Sequence, residues 1–167
     1  YWLARCYEYG IATTKNLTKA FHWYKRGAEL NNPASIDRLA WFYQEGIGRP
    51  KDLPKALKYW RKTVEVGLTT GFYWLGHYYE NGKVVTKDLE KARAWYERGA
   101  KHNINSCLDR LAIIYQDGLG VRKNKAKSLE YWQKAAAGKW EHAYFWIGDA
   151  YLNGSVYKKD LTEAVKW

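Results

Sequence analysis

Leu39 of this 167-residue chain has counterparts at a fixed offset of 36, namely Leu3, Leu75, Leu111 and Ile147, and it does not recur alone. Small Ala40 returns as Ala4, Gly76, Ala112 and Gly148, Tyr43 as Tyr7, Tyr79, Tyr115 and Tyr151, and Gly46 as Gly10, Gly82, Gly118 and Gly154. Asp52 returns as Asn16, Asp88, Asn124 and Asp160, and Ala56 as Ala20, Ala92, Ser128 and Ala164. The pair Tyr59-Trp60 returns as Trp23-Tyr24, Trp95-Tyr96, Tyr131-Trp132 and a final Trp167. Register holds over five copies without a gap, and a period of 20 to 50 residues is the signature of a solenoid.

Within the second copy, Ile36, Leu39, Ala40 and Tyr43 fall on one helix face, which predicts a helix over Ala34 to Glu45 that stops at Gly46. A second helix is predicted after Asp52, whose carboxylate can cap free backbone N–H groups, with Pro54 in the first turn and Gly67 closing it. Asn31 and Asn103 take the closing position in other copies, whereas the fourth copy has Gly138 one residue early and Lys139 in register. Each unit is thus a hairpin of helix A, a loop and helix B, and Ala40 and Ala56 are small enough to let the two helices approach closely. The expected architecture is all-α: one α/α right-handed superhelical solenoid over residues 1–167. Its units fall near 1–33 (partial), 34–69, 70–105, 106–141 and 142–167 (partial). A chain without Met that opens and closes inside a unit reads as a piece of a longer protein.

Ala34, Leu39-Ala40, Tyr43, Gly46-Ile47-Gly48, Asp52, Lys55-Ala56, Tyr59-Trp60 and Gly67 at this period resemble the Sel-one-like repeat (SLR), a relative of the tetratricopeptide repeat. The resemblance covers essentially the whole chain. It implies an adaptor or scaffold of bacterial type that binds a protein or peptide in a concave groove lined by helix A. It also implies a choice among virulence-linked adaptors, immunity proteins that block a toxic effector, and spacers between other domains. Cysteine-rich relatives imply penicillin binding and β-lactam hydrolysis, but they carry a cysteine pair in each repeat, and this chain has only Cys6 and Cys107.

A second period appears at 72. Copies one, three and five read Tyr1-Trp2-Leu3, Tyr73-Trp74-Leu75 and Phe145-Trp146-Ile147, whereas copies two and four read Asp37-Arg38-Leu39 and Asp109-Arg110-Leu111. The second loop glycine is present only in even copies, as Gly48 and Gly120. Duplication of a two-repeat ancestor accounts for this. So does an inner surface that alternates rings and charges to match an extended partner.

The net charge of +11 would suit nucleic acid or anionic lipid if it were spread evenly, but it is not. The helix A segments hold three basic and eight acidic residues, a balance of −5, which leaves +16 on loops and B helices. Phosphates would meet carboxylates in a helix A groove, which argues against nucleic acid there. An acidic groove with rings suits a basic or mixed-charge peptide, held by charge pairing and cation–π contact. On the helix A face opposite Leu39 and Tyr43, the residues expected to meet a partner are Asp37, Trp41, Gln44, Tyr73, His77, Glu80, Asp109, Ile113, Phe145 and Asp149. Tyr73 and Phe145 could equally pack against the adjacent A helix.

No catalytic constellation stands out, and the chain is read as non-enzymatic, with no cofactor and no metal. His22, His77, His102 and His142 share no ligand spacing, and Cys107 falls in a row with Ser35, Gly71 and Ala143, a packing position. No stretch approaches the ~18 apolar residues needed to span a bilayer, and no signal peptide opens the chain. The compartment, whether cytoplasmic, periplasmic or secreted, and the oligomeric state are left open by the residues.

Overall fold

The computed structural model describes residues 1–154, 156 and 158–167, and among the described residues there are ten α-helices and no strand. The A helices are α1 (Trp2–Tyr9), α3 (Pro33–Glu45), α5 (Thr70–Asn81), α7 (Asn105–Asp117) and α9 (Glu141–Asn153). The B helices are α2 (Leu17–Glu29), α4 (Leu53–Glu65), α6 (Leu89–Ala100), α8 (Lys125–Ala137) and α10 (Leu161–Lys166). This is the all-helical, hairpin-by-hairpin fold that the spacing predicts.

Each recurrent residue has a local task. Gly10, Gly46, Gly82, Gly118 and Gly154 end the A helices in the left-handed region, where a Cβ is unfavourable. Asn16, Asp52, Asp88, Asn124 and Asp160 begin the B helices, and each side chain accepts the backbone N–H three residues on. The backbone N–H of each capping residue also donates to the carbonyl of the recurrent tyrosine, as Asp52 does to Tyr43 at 3.0 Å, closing the loop between helices. The buried small residues Ala40 and Ala56 bring α3 and α4 together, and Ala112 and Ser128 do the same for α7 and α8.

Backbone contacts gather the chain into two compact units, Tyr1–Tyr78 with Gly82–Thr86, and Tyr79–Asn81 with Lys87–Trp167. In the first, α1 packs on α2, α2 on α3 and α3 on α4; in the second, α6 packs on α7, α7 on α8, α8 on α9 and α9 on α10. Burial is supplied by the neighbouring hairpin. Leu129 lies 3% exposed in the core of the second unit with Ala143 and Ile147 of α9, whereas Val165, at the same place in its repeat, is 88% exposed.

Successive hairpins meet through paired small residues. A Cβ on Gly27 would lie 2.2 Å from Ser35 Oγ, and one on Gly71 would lie 2.3 Å from Thr63 Oγ1 and 2.4 Å from the Trp60 carbonyl oxygen. One partner shrinks where the other grows. Cys107, in the same row as Ser35 and Gly71, is fully buried, and burial pushes its thiol up to about 12. That is the opposite of an activated nucleophile.

The turn from helix B to the next helix A needs one left-handed residue, and position in the repeat decides which. Asn31, Gly67, Asn103 and Lys139 all have φ between 55° and 83°, so in the fourth hairpin the strained conformation falls on Lys139 and not on its glycine neighbour. Gly138 serves contact instead: a Cβ there would lie 2.3 Å from Asn105 Oδ1, and its carbonyl accepts from Asn105 Nδ2 at 2.9 Å.

Two stability changes are expected in chemical denaturation. Lys139→Gly stabilises by about 1 kcal/mol by relieving a left-handed non-glycine residue. Gly71→Ala destabilises by about 2 kcal/mol, because the Trp60 carbonyl cannot move aside as a flexible side chain could.

Candidate partner-binding surface

One register position in the last turn of the first four A helices carries a polar acceptor in every copy: Glu8, Gln44, Glu80 and Gln116. In the first unit Glu8 accepts from Tyr24 Oη at 2.6 Å and is paired with Arg38 of the next A helix. Gln44 accepts from Tyr78 Oη at 2.5 Å, with Trp60 Nε1 3.5 Å from the same oxygen. In the second unit Glu80 accepts from Tyr96 Oη at 2.7 Å and is paired with Arg110. The 72-residue alternation therefore has a packing cause. Glu goes with Tyr and Arg, Gln goes with Trp and Trp, and the two sets alternate along the chain.

Gln44 and Glu80 are thus spent in holding hairpins together. Of the remaining residues expected to meet a partner, the first unit assembles Asp37, Trp41, Tyr73 and His77, all half-buried. Trp41 lies 5.5 Å from Trp74, which stacks at 5.5 Å on Trp60, and Tyr73 stacks on His77 at 6.0 Å. Asp37 accepts from Thr70 Oγ1 at 2.6 Å. The result is a row of rings in the unit whose Asp37 is tied to the start of α5.

In the second unit, Asp109 accepts from Trp140 Nε1 at 3.1 Å and stands 2.7 Å from His142 Nδ1. His142 lies edge-on to Trp132 and Trp146, which stack on each other at 5.9 Å. Ile113 packs against the core, Asp149 accepts from Asn153 Nδ2 at 2.6 Å, and Phe145 remains 65% exposed beside Trp146. Phe145 packs edge-on to its own helix neighbour, as Tyr73 does to Trp74.

Trp74, Trp146, Trp140 and His142 belong to these clusters although the helix A projection does not select them. The first two were signalled by the Tyr73-Trp74 and Phe145-Trp146 pairs of odd copies. Trp140 and His142 had no signal, since no other copy has these residues at their places.

The lysine in the first turn of each of the first four B helices is committed locally. Lys19, Lys55, Lys91 and Lys127 sit over the rings of Tyr7, Tyr43, Tyr79 and Tyr115, and Lys127 also donates to Tyr115 Oη at 2.7 Å. Hydrogen bonds from the Lys55 side chain and backbone hold the Asp52 carboxyl below the usual carboxylate range, and Lys91 does the same for Asp88. Arg49 lies between Phe21 and Tyr43, 4.6 Å and 4.5 Å from their ring centres. Part of the basic charge is therefore structural. Among the described residues no three His, Cys, Asp or Glu side chains gather as a metal site would require, and no helix is long and apolar enough to cross a membrane.

The Sel1 repeat pattern matches residues 1–32, 33–67, 73–104, 106–139 and 141–167. The backbone is similar to a crystal structure of a Sel1 repeat protein from Oxalobacter formigenes, at 29% identity and a TM-score of 0.92, over 99% of this chain and 68% of that one. It is also similar to a protective antigen with an SLR fold, present in uropathogenic Escherichia coli strains, at 30% identity and a TM-score of 0.91. There it covers 98% of this chain and 35% of that one, so the chain spans about a third of that relative's length. Cysteine-rich protein B from Helicobacter pylori is 31% identical over 77% of this chain and 92% of its own, with a TM-score of 0.59. No curated protein sequence matches.

Burial, then the charge of Glu45, pushes the Tyr78 phenol up to about 12, and burial followed by the Glu8 hydrogen bond raises Tyr24 as well. A raised phenol pKa favours the protonated, folded form. Its contribution is complete below the ordinary value of 10 and is lost as pH rises from 10 through 12. The melting temperature is expected to hold to about pH 9.5 and then fall, the fall being shallower in Tyr78→Phe, as followed by circular dichroism.

Proposed function

The chain belongs to the Sel1 repeat family, whose members are generally protein–protein interaction scaffolds, and on that premise we propose that it is a non-enzymatic adaptor that takes a protein or peptide on its helix A faces. The observation that carries this reading is the pair of ring-and-carboxylate clusters. Trp41 lies against Trp74, Tyr73 stacks on His77 and Asp37 accepts from Thr70 in one unit, while Phe145 and Asp149 lie one turn apart on α9 in the other. Affinity at such a surface rests on a few aromatic and charged anchors, not on total area.

The acidic balance of the A helices favours a basic or mixed-charge segment, whose Lys or Arg would meet carboxylates and ring faces together. A role as an immunity protein or virulence-linked adaptor lies within this reading and would show as one tight partner. The alternative of β-lactam hydrolysis has little support in the residues. Cys6 and Cys107 are both free, and Cys107 is buried with its thiol pushed up to about 12.

Capture with the full chain tests the proposal, each captured protein being identified and its affinity measured again with purified material. Trp41→Ala with Tyr73→Ala is expected to weaken the complex at least tenfold while leaving the circular dichroism spectrum unchanged. Raising the salt from 0.05 to 0.5 M should weaken it further, since exposed charges are screened over ~8 to 10 Å near physiological ionic strength. Equal binding by the intact and substituted chains would remove the helix A assignment.

A further inference from the structure

Three of the first four hairpins satisfy the same buried donor in the same way. The residue in the middle of helix B points to the acceptor 16 positions earlier: Tyr24 to Glu8 at 2.6 Å, Trp60 to Gln44 at 3.5 Å and Tyr96 to Glu80 at 2.7 Å. In each case a third group from the next A helix completes the set: Arg38, Tyr78 or Arg110. The fourth hairpin breaks the pattern. Trp132 is 2% exposed and its Nε1 has no hydrogen-bond partner among the described residues, although Gln116 occupies the expected acceptor position.

Register shows what is missing. Trp146 stands where Arg38 and Arg110 stand, and Ala150 stands where Tyr78 stands. In the first unit buried Tyr78 donates its hydroxyl to the Gln44 oxygen that Trp60 Nε1 also faces, and Trp60 stacks on Trp74. In the second unit the same Trp–Trp stack is present, but alanine replaces the phenol, and a cavity of about 220 Å³ opens there. Gln116, Leu129, Trp132, Trp146, Ala150 and Val156 are among its walls, and exposed Lys125 and Asn153 bring one side of it to the surface. A dry cavity of ~150 Å³ accepts benzene, so this one has room for a ring and a hydroxyl.

We propose that this cavity is a binding site for a phenol ring, carried as a tyrosine side chain by a bound protein segment. The ring would lie in the volume that Ala150 leaves open, against Leu129 and the paired indoles. Its oxygen would accept from Trp132 Nε1 and donate to Gln116 Oε1. A buried N–H without a partner is unfavourable, and such a ligand would satisfy it on binding. The tyrosine source rests on the adaptor reading, whereas the phenol chemistry of the cavity does not.

p-Cresol, the tyrosine side-chain analogue, is titrated into the full chain while the indole N–H resonance of Trp132, assigned by its loss in Trp132→Phe, is followed by NMR. A saturable shift is expected, with toluene binding at least tenfold more weakly. Ala150→Tyr, which restores the residue of the first unit, should abolish the p-cresol response. Gln116→Leu, which keeps the volume but removes the acceptor, should lower p-cresol affinity towards that of toluene. No saturable shift at Trp132, equal affinity for the two probes, or a response that survives Ala150→Tyr would each overturn the site. If p-cresol binds but Ala150→Tyr leaves the protein complex intact, the tyrosine source is wrong. Since the probe needs no partner, failure of the helix A assignment leaves this result untouched.

Discussion

The close approach of helix A to helix B within each hairpin is the constraint on which everything else depends. Ala40 and Ala56, and Ala112 and Ser128, are buried small residues on helices that pack together, where a larger side chain would hold the backbones apart. With the backbones this near, the bulky residues are displaced to the flanks, where aromatic rings supply most of the buried surface. They cannot complete a core alone. A hairpin presents rings and aliphatic groups that only the neighbouring hairpin can cover, as the contrast between buried Leu129 and exposed Val165 shows.

Between hairpins the chain uses two polar solutions. One places a carboxylate between a tyrosine hydroxyl and an arginine, as Glu8 and Glu80 do; the other places a carboxamide between an indole N–H and a tyrosine hydroxyl, as Gln44 does. Buried polar atoms need partners, so the helix A acceptor, the helix B donor and the residue of the next hairpin must change together. This accounts for a 72-residue rhythm without invoking a ligand. Among the described residues, the interface around Trp132 and Gln116 departs from it.

The candidate surface gathers Trp41, Tyr73 and His77 in one unit, and Phe145 and Asp149 in the other. Basic residues of the B helices are partly tied to capping and to tyrosine faces, so the charge of +11 overstates what is free to meet a partner.

The helices, their caps, the closing glycines and the small residues at the crossings were all legible in the sequence. Each is a local demand of backbone geometry or steric room, and local demands repeat with the chain. Lys139 could be placed by register alone, ahead of the glycine beside it, because the turn is set by the hydrogen bonds at the end of α8. What only the tertiary structure decided was which polar residues meet. A helical projection puts Gln44 and Glu80 on an outward face, but it does not show that hairpins bring Tyr78 to one and Arg110 to the other, 34 and 30 residues away. The same holds for the cavity at Ala150. A missing ring is visible in a sequence as one more alanine, and becomes a site only when the surrounding indoles and carboxamide are in place.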